Sequence, residues 1–213
     1  MRDLTVSKLH EIIGGRLRLA TLPPRHGEAA LVRGIVTDSR QVRKGSIFWG
    51  LAGTRFDGAA FAEDAFSRGA AGVVVGRYAQ PWPGCWSLQV DNPQQSLEQL
   101  SHWNRRRMSG RVVAVTGSVG KTTTRQMIHA VLATQFSGSA SPRNFNNHVG
   151  LPLSMLAIEP NDDFAVLELA ASAGGEIAHL ASLCEPQVGV ITRISDAHLG
   201  RFGSTEAVAA AKG

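Results

Sequence analysis

Val112-Val113-Ala114-Val115-Thr116-Gly117-Ser118-Val119-Gly120-Lys121-Thr122-Thr123-Thr124 is the stretch that decides the fold. Four apolar, mostly β-branched residues lead to a glycine-bounded turn, and Met127, Ile128, Val131 and Leu132 then recur at helical spacing. The order is strand, loop, helix. A phosphate-binding loop requires that context. Glycines at 117 and 120 let backbone N–H groups converge on phosphate oxygens, the helix N-terminus adds partial positive charge, Lys121 supplies a full one, and the Thr122 hydroxyl suits magnesium. The position five residues before Gly120 is Val115, not glycine, so the loop is a shorter form of the common phosphate loop. The expected ligand is a nucleoside triphosphate, ATP.

Outward from the loop, Phe164 to Leu169 reads as a buried strand containing Glu168, and Val188 to Thr192 as another, followed by Ser195-Asp196-Ala197-His198. With the strand before Gly117 these give a βαβ pattern and a parallel sheet, whose ligands sit beyond the carboxyl ends of its strands. Lys121, Glu168 and His198 all fall at such ends. A carboxylate there is costly unless paired or metal-bound, and magnesium shared with ATP phosphates is the expected partner of Glu168. Taken alone, His198 stays open between a surface or hydrogen-bonding residue and a ligand, since imidazole is unusual on magnesium. Ser137 to Pro142 reads as a flexible connection, and Asn144 to Asn147 as a turn before another helix.

The segment before the loop domain has its own pattern. Leu9, Ile12 and Ile13 follow the possible caps Thr5 and Ser7 and stop at Gly14-Gly15, a short first helix. Strands are expected near Leu31 to Thr37, Ser46 to Leu51, Gly72 to Val75 and Trp86 to Val90, with a helix carrying Phe61, Ala62, Ala65 and Phe66. Asp38-Ser39-Arg40 falls in a loop from which Arg40 can reach a phosphate or a carboxylate, but which, taken alone, a solvated turn explains better. Asn92 and Pro93 suit a helix start, with Leu97, Leu100 and Trp103 as a stripe behind them. The expected fold class is α/β: a small α/β unit at residues 1–90, then a phosphate-loop parallel-sheet domain at 91–213 that is incomplete.

The 213 residues are 43% hydrophobic and 18% charged, ordinary globular material. The formal charge of +5 comes from scattered basic residues. The one cluster, Arg105-Arg106-Arg107, is expected on the polar side of a helix end, so no nucleic-acid role is expected and anionic substrates explain the balance. Cys85 and Cys184 lack metal spacing and favour reduced thiols. The N-terminus has no apolar targeting segment and no run reaches a membrane span. A cytoplasmic protein without a membrane partner is expected.

These residues carry a resemblance. Thr116-Gly117-Ser118-Val119-Gly120-Lys121-Thr122-Thr123 is similar to the TGSNGKTT loop of the Mur ligases, ATP-dependent enzymes that join amino acids or peptides to a UDP-muramic acid precursor of the bacterial cell wall. Val119 stands where asparagine is usual, at a position contributing mainly backbone. Asn144-Phe145-Asn146-Asn147, Leu167-Glu168-Leu169, Gly175-Glu176-Ile177 and Ala197-His198-Leu199-Gly200-Arg201-Phe202-Gly203-Ser204 most resemble members adding D-alanyl-D-alanine to UDP-N-acetylmuramoyl-tripeptide. The resemblance implies ATP phosphates and Mg2+ on residues 116–123, with Thr122, Glu168 and His198 as metal ligands. It implies contacts near the phosphates from Asn144 and Asn147, and a UDP pocket of Asp38, Ser39, Arg40, Phe56, Asp57 and Gly58. Lys212 matches a lysine that is carbamylated in the family and acts in catalysis with Lys121, whereas composition alone makes it a solvated lysine on an Ala-rich helix. Family members run to about twice this length, so the chain by itself is expected to be inactive as a ligase, and a monomer. A non-catalytic nucleotide- or UDP-sugar-binding piece, or a Mur-type ligase for another amino acid, are the competing readings.

Overall fold

The structure, a computed structural model, describes residues 4–20, 31–32, 34–53, 56–142, 144–195 and 204–213. It divides into two compact units, Met1–Leu100 and Ser101–Gly213. The expected junction at Asp91-Asn92-Pro93 begins a helix, and the division falls within that helix.

In the first unit, α1 (Val6–Ile13) is capped where the sequence suggests, with Thr5 Oγ1 accepting from Lys8 N–H at 3.1 Å. Its buried Val6, Leu9 and Ile13 form one stripe. The sheet runs in the order β1 (Arg16–Leu19), β5 (Trp86–Gln89), β4 (Gly72–Val75), β3 (Ile47–Gly50), β2 (Ile35–Val36). All neighbours are parallel except β1 against β5. Two expectations are corrected. The strand near Leu31 to Thr37 shrinks to Ile35–Val36, with Leu31 in an isolated bridge to Thr5. Strand β1 was not foreseen, because Arg16-Leu17-Arg18-Leu19 carries too little apolar weight and is a strand only through its register with β5. Helix α2 (Ala62–Ser67) buries Ala62, Ala65 and Phe66 against Phe48, Val73 and Val75. Helix α3 (Pro93–Arg106) starts as read: Asn92 Oδ1 accepts from Gln95 N–H at 3.1 Å, and Leu97 and Leu100 are fully buried.

The second unit holds a four-stranded, wholly parallel sheet in the order β7 (Gly138–Ala140), β8 (Phe164–Glu168), β6 (Arg111–Thr116), β9 (Val188–Ile191). Strand β6 shows why its sequence is apolar throughout. Val112 and Ala114 pack with Leu151, Met155, Leu167 and Leu180 on one face, and Val113 and Val115 with Phe164 and Val166 on the other. The first face is covered by α5 (Gly150–Ala157) and α6 (Glu176–Cys184), the second by α4 (Lys121–Leu132). Each fully buried Val or Leu here contributes on the order of 1.5–3 kcal/mol. Helix α4 departs from its reading: Ile128 and Leu132 pack inward, while Met127 and Val131 are 63% and 69% exposed. The described chain ends in α7 (Thr205–Lys212).

Ser137 to Pro142 is not a flexible connection. Gly138 pairs with Phe164 so closely that a Cβ would overlap the Phe164 carbonyl and ring, and Ser141 is buried. The glycine that signals a loop here serves close strand approach, and Ser141 Oγ accepts from Glu168 N–H. Arg105 is likewise not on a polar face. It is 5% exposed, and its guanidinium donates to the Cys184 carbonyl (2.8 Å) and the Glu185 carbonyl (3.1 Å), closing the C-terminus of α6.

Candidate functional site

The phosphate loop joins β6 to α4 at the centre of the second sheet. Gly117 has φ +142, and a Cβ there would run into the Thr192 hydroxyl just beyond β9, so only glycine fits. Gly120, φ +87, opens α4 and leaves the helix N-terminus bare of any side-chain cap. The loop is pinned to the segment after β9. Ser118 N–H donates to the Arg193 carbonyl (2.6 Å), Ser195 N–H to Ser118 Oγ (3.1 Å), and Thr192 Oγ1 lies 2.6 Å from the Val119 carbonyl and 3.2 Å from that of Thr116. Val119 itself is 59% exposed, consistent with a backbone role. Thr123 is exposed on the first turn of α4.

Lys121 bends back over the loop, its Nζ donating to the carbonyls of Gly117 (2.8 Å) and Ser118 (3.3 Å). Thr122 and Glu168, 46 residues apart in sequence, meet: Thr122 Oγ1 donates to Glu168 Oε2 at 2.9 Å. Glu168 is 2% exposed at the carboxyl end of β8. Its other oxygen accepts from Asn146 Nδ2 at 2.9 Å, its own N–H donates to Ser141 Oγ at 3.1 Å, and Arg125 Nη1 lies 3.7 Å from Oε2. A buried carboxylate is tolerated only with such company.

Asn144 and Asn147 are placed differently from Asn146. Asn144 is exposed and accepts Asn146 N–H at its backbone carbonyl, while Asn147 Oδ1 accepts from Val149 and Gly150 N–H at 3.1 and 2.8 Å, entering α5. Asn146, Arg125 and Ser141 were missed in the sequence. One signal was available for Arg125: it stands three residues after Thr122, on the same helical face. Lys212 is not a solvated lysine. It is 7% exposed at the end of α7, and burial, then the nearby charge of Lys121, pull its pKa down. His198 lies outside the described residues.

Beyond β8 a cavity of about 630 Å³ opens against Asn147, His148, Ala170, Ser172, Glu176 and His179. Glu176 shapes its rim by accepting from Ser172 N–H (2.6 Å) and Ala173 N–H (3.2 Å), contacts that hold its carboxyl below the usual range.

In the first unit the expected pocket residues gather at the carboxyl ends of β2 and β3. Asp38 caps the turn Ser39–Gln41 and grips Arg40 through both carboxylate oxygens (2.8–3.2 Å), which lowers the Asp38 pKa and raises that of Arg40. Ser39 is buried. Asp57 caps the turn Gly58–Phe61 through Ala59 N–H (2.9 Å) and pairs with Arg77, at the end of β4, at 2.5 Å. Phe56 is 67% exposed, its ring edge-on to Phe61. Arg77 was not among the residues singled out in the sequence.

The fold and loop thus define a class, a phosphate-loop nucleotide-binding unit preceded by a separate α/β unit. Residues 115–213 match the model of the Mur ligase middle domain, and residues 31–82 that of the Mur ligase family, catalytic domain. The chain belongs to the Mur ligase family, whose members are ATP-dependent ligases. It is 41% identical over 209 residues, 98% of its own length and 45% of the relative's, to UDP-N-acetylmuramoyl-tripeptide--D-alanyl-D-alanine ligase of Bacillus subtilis. The crystal structure of MurF from Acinetobacter baumannii is similar at TM-score 0.85 and 30% identity, over 98% of this chain and 45% of that one. MurF ligase from Thermotoga maritima in complex with ADP is similar at TM-score 0.75 and 36% identity, over 85% of this chain and 42% of that one. The chain spans about 45% of the length of the curated relatives it matches.

Proposed function

We propose that this chain carries the UDP-substrate and ATP-phosphate sites of a ligase that adds D-alanyl-D-alanine to UDP-N-acetylmuramoyl-tripeptide in peptidoglycan precursor synthesis. The observation that carries the reading is the placement of Lys121, Thr122 and Glu168 at the carboxyl ends of the neighbouring strands β6 and β8, where Thr122 bonds to Glu168. Lys121 and the open N-terminus of α4 bind and orient phosphate oxygens.

The oxygen donors of Thr122 and Glu168, a hydroxyl and a carboxylate already 2.9 Å apart, fit Mg2+, a hard cation held by few protein oxygens alongside nucleotide phosphates. His198 completes that set in the proposal. Bound there, the ion offsets charge on the transferring phosphoryl group. The chain's residues supply position and charge for phosphoryl transfer to the substrate carboxylate, and no protein nucleophile is needed. Lys212, whose pKa is pulled down by burial and by the charge of Lys121, is the proposed site of carbamylation. Asp38, Ser39, Arg40, Phe56, Asp57 and Gly58, on residues 1–90, form the proposed UDP pocket, with residues 91–213 as the ATP-binding domain. Among the described residues no helix is long and apolar enough to cross a membrane. A cytoplasmic monomer is part of this proposal.

Separate titrations of the chain with ATP and with UDP-N-acetylmuramoyl-tripeptide, read by calorimetry, test it. Saturable binding of each, with Lys121→Ala losing the first and keeping the second, is expected. Binding of neither ligand overturns the reading.

A further inference from the structure

Glu168 is a nearly solvent-free carboxylate, and the groups on it do different jobs. Thr122 and Asn146 give it hydrogen bonds at 2.9 Å, and Ser141 fixes its backbone. None of these carries charge. Lys121, the other cation at the loop, spends its ammonium on the Gly117 and Ser118 carbonyls. Arg125 therefore supplies the balancing charge among the described contacts of Glu168. It is 3% exposed, the one buried residue of α4, and its Nη1 stands 3.7 Å from Oε2. At that distance it acts by charge more than by a hydrogen bond.

Placement strengthens the point. Thr122 and Arg125 sit three residues apart on α4, so one helical face brings both to the same carboxylate oxygen. The helix that begins at the phosphate loop thus also carries the counter-ion of the strand-end carboxylate. A buried carboxylate that loses its partner charge is no longer held in one orientation, and that spoils a metal ligand.

We propose that Arg125 is a positioning residue: its charge holds the Glu168 carboxylate in place and aimed at Thr122, ready for the divalent cation that accompanies the nucleotide. This rests on the ATP-binding reading above. It touches neither nucleotide nor cation in the proposal.

The test titrates the full chain with a fluorescent ADP analogue at a series of Mg2+ concentrations and again in EDTA, alongside thermal unfolding. For Arg125→Met, the Mg2+ concentration giving half-maximal binding is expected to rise at least tenfold, while binding in EDTA changes by less than twofold. Arg125→Lys keeps the charge at shorter reach and is expected to shift the half-point only about threefold, which keeps the proposal testable should the Met variant fail to fold. An arginine that only fills the core would lower the unfolding temperature and weaken binding equally with and without Mg2+. That pattern, or an unmoved half-point in the variants that fold, overturns the proposal. Absence of analogue binding by the unsubstituted chain instead overturns the ATP-binding reading beneath it.

Discussion

At the residue scale, Lys121 and Cys184 make opposite predictions. Lys121→Ala removes a charge-assisted contact to phosphate, worth about 1.5–3 kcal/mol, so ATP affinity is expected to fall roughly tenfold to a hundredfold by calorimetry. Unchanged affinity would remove the lysine from the phosphate site. Cys184 is fully buried, and burial pushes its thiol up to about 12, while half-buried Cys85 is raised less far and for the same cause. Thiolate is the reactive form, so a thiol reagent at pH 8 should leave Cys184 unlabelled in the folded chain and expose it only in denaturant. Rapid native labelling of Cys184 would contradict the packing described here. The residues that the sequence announced are those whose chemistry is local: Lys121 and Thr122 follow a glycine turn, and Glu168 ends an apolar run. Arg125 and Asn146 were hidden because their meaning lies in a carboxylate 43 and 22 residues away, respectively, which spacing along the chain does not encode.

At the scale of elements, Arg105 closes α6 from a distance. Arg105→Met leaves the Cys184 and Glu185 carbonyls without their donor, and the unfolding free energy in urea is expected to drop by about 2–4 kcal/mol. A loss below 0.5 kcal/mol would return Arg105 to the polar face that the sequence suggested. The loop before α6 carries a pH dependence. Because Ser172 and Ala173 N–H groups hold the Glu176 carboxyl below its ordinary value, the ionised form is favoured in the folded state. That contribution is present above the ordinary carboxylate range and is lost as pH falls through the depressed value. Amide exchange at Ser172 and Ala173 is expected to lose protection as pH falls below the ordinary carboxylate range, ahead of the rest of α6. Protection that holds to the global acid transition would dismiss the contact. Helices with side-chain caps were legible because the cap lies next to the helix, as Thr5 and Asn92 do. Short edge strands were not: Arg16–Leu19 and Gly138–Ala140 gain their structure from Trp86–Gln89 and Phe164–Val166 and look like turns or polar linkers on their own.

For the whole molecule, the proposed sites put the two ligands on separate units. ATP is expected to slow amide exchange in residues 115–195, and the UDP substrate in residues 35–90. Crossed protection, with ATP acting chiefly on residues 35–90, would undo the assignment of sites to units. The wholly parallel sheet of the second unit has a further consequence, one of time. Parallel neighbours cannot be joined by a tight turn, so β6 finds its partners far along the chain: Val112 bonds with Gln187 across 75 residues, and Ser118 with Ser195 across 77. During synthesis at about 5–20 residues per second, the phosphate loop emerges and then waits on the order of 4–15 s for the segment that pins it. Until Phe164 to Glu168 follow, Val112 to Val115 are an apolar strand with both edges open, and the edge that β9 covers stays open until Val188 to Ile191 are made. The loop's pinned form thus comes into being long after its motif has been made, although that motif is the first thing read in the sequence.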